Sequence, residues 1–385
     1  MKLKVAFTGG GTGGHVYPAL AIDDALRAEY RADAYEARFF GNRHGLEATL
    51  VKTMPLTFVP SAPLQRSLSL ATLRTLAANT AGVFVALGAL ARFKPTMVIA
   101  TGGYVCFPVV VAARILRLLR VVRARIALLE INVTPGLTNR LLKPLVDEVW
   151  TTYAASEASF GRKTVVTGAP VRASLRIAKD AASARDRLAL DPERTTIVAM
   201  GGSQGARSIN EAVAALVTRR TLEPNWQVLH VSGERDHAYM QAEQRELAPG
   251  NRVRLVAYLD DPSDAYAAAD VVIARAGAST LAELATTGTP AILIPYPFAA
   301  EQHQAHNAAL FEQAGAAIVL RDADLSGDRL WWTLGEALDP DTNQAMRRAA
   351  RSLAPRNAAA TIVARIERAH AARVAVDAEA NAREP

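Results

Sequence analysis

The sequence contains one cysteine, Cys106, among 385 residues. A single thiol excludes a disulfide within the chain, so nothing in the composition requires an oxidising compartment. The N-terminus enters an apolar segment directly, without the charged region, the long apolar region and the cleavage site of a signal peptide, and we expect none. A chain of this length predicts two domains, each large enough to bury its own core.

Acidic residues are missing from a long interval of the first half. No Asp or Glu lies between Glu47 and Glu130, an interval of 82 residues, and residues 1–170 hold 20 Lys and Arg against 10 Asp and Glu. Solvated surfaces usually mix charges of both signs, so this interval predicts an anionic partner for one face of the first domain. Its cations are Lys52, Arg66, Arg74, Arg92, Lys94, Arg114, Arg117, Arg120, Arg123 and Arg125.

The sequence also lacks an uncharged apolar run long enough to span a membrane in this part of the chain. Between Arg74 and Arg92 lie 17 uncharged residues, fewer than the roughly 20 that a spanning helix needs. The pattern predicts a helix that is buried or faces a membrane without crossing it. In a second predicted helix, residues 109–119, arginines recur among apolar residues, which fits both a sheet-packing helix with a solvated rim and a membrane contact.

Two glycine loops organise the chain. Gly9–His15 follows a predicted strand and opens a helix, and Gly201–Ala206 does the same 192 positions later. A strand, a glycine turn and a helix start present backbone N–H groups and a positive dipole end to a phosphate or a carbonyl. The repeat predicts two similar α/β halves that face one cleft.

Short apolar segments alternate with helical segments, which predicts parallel sheets with right-handed crossovers. We predict a domain junction at Gly168–Arg172, with seven strands before it and six after it. The predicted strands are residues 4–8, 37–42, 56–60, 96–100, 126–130, 146–151, 164–167, 195–200, 228–232, 253–257, 271–274, 291–295 and 317–320.

Motifs of two enzyme classes, the dinucleotide-binding enzymes and the α/β-hydrolases, match parts of the glycine loops. Gly9-x-Gly11-x-x-Gly14 satisfies the dinucleotide fingerprint, but the acid expected at the end of the second strand is missing from residues 41–43. Gly201-x-Ser203-x-Gly205 matches the nucleophile elbow of α/β-hydrolases. The residues that follow it in an order permitting a triad are Asp260, Asp270, His303 and His306. A serine hydrolase therefore stays open, although it gives the first glycine loop no task.

Metal-ligand patterns are weak. Asp322-Ala-Asp324 has the form of a metal-binding DxD motif, but an Asp here also suits a helix N-cap, and no further acidic cluster completes a shell for a hard cation. His303 and His306 are three residues apart, which fits polar surface better than a zinc site. We expect neither a metal nor a cofactor.

A third glycine turn, Arg275–Glu283, also joins a predicted strand to a helix. A carboxylate at Glu283 can accept from a ribose diol while the amides of the turn meet a base or phosphate. The alternative is a glutamate that complements the helix dipole.

Seven motifs, in order between about Lys4 and Ala369, together resemble the MurG family, the bacterial glycosyltransferases of peptidoglycan synthesis. They are residues 10–15 (GGTGGH), 102–104 (GGY), 136–139 (GLTN), 168–172 (GAPVR), 201–207 (GGSQGAR), 276–283 (AGASTLAE) and 301–307 (EQHQAHN). The chain departs from the family at Leu129 and Ile131, where a His and a Gln are usual.

The resemblance implies a GT-B fold, an α/β architecture in which two Rossmann-like domains with parallel sheets face a central cleft. It implies transfer of N-acetylglucosamine from UDP-N-acetylglucosamine to lipid I, undecaprenyl-pyrophosphoryl-N-acetylmuramoyl-pentapeptide, giving lipid II. The expected location is the cytoplasmic face of the plasma membrane, with no nucleic acid bound and with other proteins of cell-wall synthesis or division as partners. We assign residues 1–169 to the first domain, 170–350 to the second, 351–370 to a helix that crosses back to the first, and 371–385 to a disordered tail.

The resemblance also implies roles for individual residues. Thr12, Gly13 and Gly14 contact the donor, Asn132 and Gln304 its sugar, Arg172 and Ser203 the pyrophosphate, and the backbone of Leu259 the uracil. The nucleoside meets Ala278, Ser279, Thr280, Leu281, Ala282 and Glu283, with Glu283 on the ribose, and Tyr104 lies on the acceptor side. The candidate base is His15, because a histidine at the glycine loop titrates near working pH, and Glu130 is its rival.

The polyprenyl anchor of the implied acceptor requires the enzyme to reach a membrane. We expect the first domain to dock on an anionic bilayer through residues 66–94 and 114–125, where the basic stretch supplies the attraction. The apolar residues expected to enter the interface include Leu68, Leu70, Phe84 and Leu87.

Overall fold

The structure is a computed structural model that describes residues 2–63, 70–202, 205–354 and 357–381. The chain divides into two compact units. Unit 1 comprises Met1–Arg172 and Pro355–Pro385, and unit 2 comprises Ala173–Ala354. Each unit contains a parallel sheet covered by helices and a hydrophobic core of its own.

The sheet of unit 1 consists of mostly buried, apolar strands, as expected for a parallel sheet covered on both faces. Its strands in the described residues are β1 (Leu3–Thr8), β2 (Tyr35–Gly41), β3 (Leu56–Phe58), β4 (Met97–Ala100), β5 (Arg125–Glu130), β6 (Glu148–Thr151) and β7 (Thr164–Val166). They pair in parallel in the order β3-β2-β1-β4-β5-β6-β7. Both the number of strands and their parallel arrangement confirm the prediction for the first half.

Helices of unit 1 connect these strands. They are α1 (Gly13–Glu29), α2 (Glu47–Leu50), α3 (Leu70–Phe93), α4 (Cys106–Leu118), α5 (Leu137–Leu142) and α6 (Glu157–Phe160). The long helices α3 and α4 pack side by side and bury apolar residues such as Leu90 and Val110 in the core of the unit.

Helix α3 differs from the expectation in one respect. By length and composition alone, Thr72–Phe93 is long and apolar enough to cross a membrane, because Arg74 and Arg92 lie near its ends, where long cationic side chains are tolerated. One face of the helix nevertheless belongs to the unit, since Ala86, Leu90 and Phe93 are buried in its core.

Unit 2 repeats the architecture with six strands in the described residues. They are β8 (Thr195–Met200), β9 (Trp226–Val231), β10 (Val253–Val256), β11 (Val271–Ala274), β12 (Ala291–Leu293) and β13 (Ala317–Val319), paired in parallel in the order β10-β9-β8-β11-β12-β13. Its α-helices in the described residues are α7 (Ala173–Arg176), α8 (Ala181–Arg187), α9 (Arg207–Arg219), α10 (Glu234–Glu243), α11 (Ser263–Ala268), α12 (Ala278–Thr287), α13 (His303–Gln313), α14 (Gly327–Leu338) and α15 (Pro340–Leu353). The six predicted strands are confirmed.

The last helix, α16 (Ala358–Asn381), belongs to unit 1. Its Arg365 donates to Glu148 of β6 at 2.7 Å, and its Glu367 accepts from the Tyr30 hydroxyl at 3.4 Å. The sequence predicts a disordered tail from residue 371, whereas the helix continues to Asn381. The continuation is rich in alanine and contains neither Gly nor Pro, which favours helix. Residues 382–385 lie outside the described part of the chain.

The order of strands fixes where ligands can bind. In both sheets the order reverses at a central pair, β1 and β4 in unit 1 and β8 and β11 in unit 2. Crevices at the carboxyl ends of such strand pairs are the usual ligand sites of open α/β sheets. Gly9–Thr12 follows β1 and Gly201–Ala206 follows β8, so each glycine loop lies at such a switch point.

Candidate active site

The first glycine loop is joined to the loop that follows β4. Gly10 N–H donates to the Gly102 carbonyl at 3.3 Å, and the Thr101 hydroxyl donates to the His15 carbonyl at 2.6 Å. Gly102 and Gly103 both have positive φ angles, 108° and 83°. A Cβ atom at either position would collide with the His15 ring or the Gly10 carbonyl, so only glycine fits. The imidazole is thereby held at the carboxyl edge of the sheet.

The hydrogen bonds of His15 determine its tautomer. Its Nδ1 lies 2.9 Å from the Gly10 carbonyl oxygen, which can only accept. Nδ1 therefore carries the proton, and in the neutral ring the lone pair is on Nε2. The Thr12 hydroxyl, 3.3 Å from Nδ1, is a weaker second partner. Thr12 is also the N-cap residue of α1, and Gly13 and Gly14 form the first turn of that helix.

Tyr104 lies beside the same loop. A Cβ atom on Gly11 would lie 3.1 Å from its ring, and the φ of 88° at Gly11 also favours glycine. Burial raises the pKa of the Tyr104 hydroxyl, and the negative charge of Glu47 raises it further. The phenol is therefore neutral at working pH and available as a hydrogen-bond donor.

Glu130 ends β5 with its carboxylate almost completely buried. One oxygen accepts from the backbone and side-chain N–H groups of Asn132, both at 3.0 Å, and the other accepts from Gly136 N–H at 3.1 Å and the Asn139 amide at 2.8 Å. Burial raises the pKa of Glu130, and these donors oppose the rise. Four donors on two oxygens fix the loop that carries Asn132.

The two positions that depart from the family pattern point inward. Leu129 and Ile131 are 1% and 3% exposed. The change from His and Gln to aliphatic side chains therefore falls in the interior beside β5, where apolar groups bury at no hydrogen-bonding cost. Glu130 and Asn132 between and after them keep their polar network.

Arg172 is the last residue of the predicted junction and of the first segment of unit 1. Its guanidinium lies 3.8 Å from the ring centroid of Tyr17, a residue of α1. This cation–π contact places a permanent positive charge next to the helix that begins at the first glycine loop.

The second glycine loop is only partly described. Ser203 and Gln204 lie outside the described residues, so the position of the Ser203 hydroxyl stays a prediction. Around them, Gly201 approaches the Ala206 amide so closely that a Cβ atom would collide with it, and Gly205 has a φ of 70°. The loop leads into α9 through Ala206, the N-cap residue.

The third glycine turn places α12 at the carboxyl end of β11. Gly277 is the N-cap residue of the helix. Ala278, Leu281 and Ala282 are buried, so their backbone rather than their side chains can meet a ligand, while Ser279, Thr280 and Glu283 are half-buried. The Tyr266 hydroxyl donates to Glu283 at 2.8 Å, which fixes this carboxylate.

Two further residues that are predicted to bind the sugar donor follow other strands of unit 2. Leu259 is half-buried in the loop after β10. Gln304 is the second residue of α13. Its side-chain oxygen accepts from Tyr296 N–H at 2.9 Å, which leaves the amide NH2 to a ligand. The preceding Glu301 and Gln302 have φ angles of 54° and 53°. Left-handed non-glycine residues in succession indicate a loop held under strain, as is frequent at functional sites.

The DxD motif has another role than metal binding or capping. Asp322 accepts from Arg275 and from the Ser208 hydroxyl, and Asp324 accepts from Arg321. The N-cap residue of α14 is Ser326, whose hydroxyl accepts from Arg329 N–H at 3.1 Å. Within the described residues, no group of three or more His, Cys, Asp or Glu side chains could hold a metal ion.

The structure separates Asp270, one of the two candidate acids of the hydrolase alternative, from the candidate histidines. Asp270 precedes β11 and is engaged by Arg185 at 2.8 Å and by Thr196 N–H at 2.7 Å. It thus lies at the amino-terminal edge of the sheet, whereas α13, which carries His303 and His306, follows β12 at the carboxyl-terminal edge. Strand direction places these groups at opposite edges.

Sequence reasoning missed three residues that shape these sites: Glu47, Tyr17 and Tyr266. Glu47 is completely buried against the first glycine loop and accepts from Asn42 N–H at 2.7 Å. The nearby glycines Gly41 and Gly45 are a sequence signal that could have drawn attention to it, because a buried carboxylate needs close backbone donors.

Comparison with known proteins decides the family. Residues 5–151 match the glycosyltransferase family 28 N-terminal domain, and residues 196–365 match the glycosyltransferase family 28 C-terminal domain. A curated relative from Carboxydothermus hydrogenoformans is 38% identical over 88% of this chain and 89% of its own. Another, from Desulfitobacterium hafniense strain Y51, is 39% identical over 94% and 98%. Both are named UDP-N-acetylglucosamine–N-acetylmuramyl-(pentapeptide) pyrophosphoryl-undecaprenol N-acetylglucosamine transferase. The chain belongs to the MurG family.

Solved structures agree on the fold. The crystal structure of Acinetobacter baumannii MurG superimposes with a TM-score of 0.72 at 24% identity, covering 95% of this chain and 99% of that one. The calicheamicin glycosyltransferase CalG4 gives a TM-score of 0.65 at 17% identity, with the same coverage. Together with the two parallel sheets, these neighbours confirm the predicted α/β GT-B fold class. Membership of the MurG family makes this chain a UDP-sugar glycosyltransferase.

Proposed function

We propose that the protein transfers N-acetylglucosamine from UDP-N-acetylglucosamine to the 4-hydroxyl of the N-acetylmuramoyl unit of lipid I, giving lipid II for peptidoglycan synthesis. The observation that carries the proposal is the 38% identity over 88% of the chain with a relative named for this reaction. The glycine loops at the two switch points support it, because each offers helix N-terminal amides to a phosphorylated or carbonyl-bearing substrate.

The reaction is an inverting displacement in this proposal. Nε2 of His15 takes the proton of the acceptor hydroxyl, whose oxygen bonds to the anomeric carbon from the face opposite UDP. The bond from that carbon to the β-phosphate oxygen breaks, and its electron pair leaves with UDP. Arg172, Ser203 and the amides of the glycine turns stabilise the charge on UDP, which makes the mechanism metal-independent.

Glu130 serves as a positioning residue in this proposal. Its oxygens are used by four donors of the loop from Asn132 to Asn139, and a proton acceptor needs an oxygen that reaches the substrate. Glu130 instead holds Asn132, the residue assigned to the donor sugar. This arrangement supports His15 as the base.

We assign the donor-binding residues from the resemblance to the family, and their positions after the carboxyl ends of strands support the assignment. In unit 1 these are Thr12, Gly13, Gly14 and Asn132, with Tyr104 on the acceptor side. In unit 2, Leu259 faces the uracil through its backbone, Ala278–Glu283 meets the nucleoside with Glu283 on the ribose, and Gln304 offers its amide to the sugar.

Removal of a phosphate ligand tests these assignments. We expect Arg172→Ala and Ser203→Ala each to weaken UDP binding by about 1 to 3 kcal/mol, because each removes a charge-assisted or buried hydrogen bond. Isothermal titration with UDP measures the change. Arg176→Ala, an exposed arginine four residues further on, is the matched control. Unchanged UDP affinity in both variants, or an esterase activity that Ser203→Ala abolishes, would remove the pyrophosphate assignment.

The proposed function itself is tested by one incubation. The protein, labelled UDP-N-acetylglucosamine and a lipid I analogue should yield a β-1,4-linked disaccharide on the lipid carrier. Binding of the donor without disaccharide formation would indicate a nucleotide-sugar-binding subunit and contradict the proposal.

Membrane docking of unit 1 is part of the proposed function. The outward face of α3 exposes Leu73, Leu76 and Phe84, at 63%, 63% and 69%, and the end of α4 exposes Leu118 and Leu119. The cations on or directly after the same two helices are Arg74, Arg92, Lys94, Arg114 and Arg120, none of which forms an ion pair with a described residue. We define these ten residues as the α3–α4 surface. Exposed apolar residues on helices that also carry cations fit the interface of an anionic bilayer.

The structure changes which residues carry the docking proposal. Arg117 is held by Asp147 at 2.6 Å and Arg125 by Glu148 at 3.2 Å, so both are neutralised within the unit. Leu87 is partly buried against the core, so the docking proposal does not include it. Arg66 and Leu68 lie outside the described residues, and nothing is described of the Leu70 side chain.

A further inference from the structure

One peptide group connects His15 to a buried carboxylate. The carbonyl of Gly10 accepts from His15 Nδ1 at 2.9 Å, and the N–H of Gly11 donates to Glu47 Oε2 at 3.3 Å. The Gly10 carbonyl and the Gly11 N–H belong to the same planar peptide group. A continuous chain of hydrogen bonds therefore runs from Glu47 through this peptide to the imidazole.

Glu47 occupies a site made for a carboxylate. Its side chain is completely buried, and Oε1 accepts from Asn42 N–H at 2.7 Å. Gly10, Gly41 and Gly45 surround it so closely that a Cβ atom on any of them would collide with it. Both oxygens accept from N–H donors, which is the pattern of an ionised carboxylate.

The charge of Glu47 acts without a neutralising cation. Among the described residues no Lys or Arg forms an ion pair with it. The titratable groups that face it are Tyr104 and Cys106, and its charge contributes to raising the pKa of both, after the larger effect of burial. The pKa of the Cys106 thiol reaches about 12, so both groups stay neutral. Arg43 and His44, in the loop before α2, are exposed.

We propose that Glu47 is a positioning residue that orients His15 and increases its basicity through the Gly10–Gly11 peptide. The proposal rests on the role of His15 as base. An anion that accepts from the Gly11 N–H polarises the peptide and makes the Gly10 oxygen a stronger acceptor, since hydrogen bonds in a chain reinforce one another. The stronger acceptor holds the proton on Nδ1 and stabilises the imidazolium that forms when Nε2 takes a proton. The aspartate of a Ser-His-Asp triad performs the same task by direct contact.

The test replaces the charge and keeps the shape. Glu47→Gln in the full-length protein should lower kcat about tenfold, the scale of losses when the partner orienting a functional histidine is removed. Binding of UDP, measured by titration, should be unchanged. The acid limb of the kcat/KM profile should move to lower pH, because an imidazolium without the nearby anion loses its proton more readily. Glu157→Gln, an exposed glutamate that likewise begins a four-residue helix of unit 1, is the matched control.

A double variant distinguishes action through His15 from a general structural effect. In a His15→Ala background, Glu47→Gln should cause no further loss of kcat, because the group through which it acts is gone. A fall in kcat with the acid limb unmoved, or an additive loss in the double variant, would overturn the proposal and leave Glu47 with a structural role only. An unchanged kcat and pH profile in Glu47→Gln would overturn it equally.

A second measurement needs no variant and stands if Glu47→Gln fails to fold. Nitrogen-15 NMR of the imidazole in the wild-type protein should show the neutral tautomer with its proton on Nδ1. A proton on Nε2 would overturn the proposal. This tautomer is independent of substrate, so it distinguishes failure of the hydrogen-bonded chain from failure of the proposed transferase reaction, which the disaccharide assay reports.

Discussion

His15→Ala is expected to lower kcat by about 10² to 10⁴ while leaving the affinity for UDP-N-acetylglucosamine nearly unchanged. The imidazole lies against the glycine turns that follow β1 and β4, and its Nδ1 bond to Gly10 places the lone pair on Nε2. Removing it deletes a proton acceptor that acts in the transition state and not in donor binding. Steady-state kinetics with a lipid I analogue, together with titration of the donor, separate the two effects.

The control for this variant is His44→Ala. His44 is exposed in the same unit, and its backbone N–H donates to the Asn42 side chain, so loss of the ring should change nothing. A normal rate in His15→Ala would transfer the role of base to Glu130. A rate loss accompanied by an equal loss of donor affinity would make His15 a binding residue.

Charge reversal on the α3–α4 surface should abolish binding to anionic vesicles. Each Lys or Arg near an anionic leaflet contributes roughly 1 kcal/mol. Losing four of these cations removes about 4 kcal/mol of binding free energy, which is close to a factor of 10³ in partitioning. Charge reversal adds repulsion. The variant carries Arg74→Glu, Arg92→Glu, Lys94→Glu and Arg114→Glu, and it omits Arg117, which pairs with Asp147. Co-sedimentation with vesicles of anionic and neutral lipid measures the change, and added salt should weaken wild-type binding.

The matched control reverses four exposed arginines of unit 2: Arg219, Arg245, Arg329 and Arg348. It should sediment like the wild type. Activity on a short-chain, water-soluble acceptor should persist in the α3–α4 variant, since the altered residues do not touch the glycine loops. Equal binding of the wild type to neutral vesicles, or none to anionic ones, would contradict membrane docking by this surface.

The strands could be predicted from the sequence because parallel strands covered on both faces are continuous apolar runs. Residues such as 96–100 and 271–274 show this directly, and thirteen predicted strands correspond to β1–β13. The boundaries of helices could be predicted less accurately. The last helix runs eleven residues past its predicted end at residue 370, because alanine-rich sequence without Gly or Pro is compatible with both a helix and a disordered tail.

Roles of polar residues were less predictable, since they depend on partners distant in sequence. Asp322 was assigned to metal or cap by its local motif, yet its partners Arg275 and Ser208 come from segments 47 and 114 residues away. Asp270 fitted a triad by order in the chain, but the direction of β11 places it at the amino-terminal edge.

By itself the sequence determined the two α/β halves, the glycine loops at their switch points and the family, because these are properties of local pattern and of residues at fixed spacing. Only the tertiary structure decided which carboxylates are buried beside the glycine loops and which donors they meet. It turned Glu130 inward onto four amide donors and placed Glu47, 36 residues from Gly11, beneath the loop that carries His15. The physical reason is that a buried charge must be compensated by donors from whatever segments the fold brings together, and no local pattern encodes that choice.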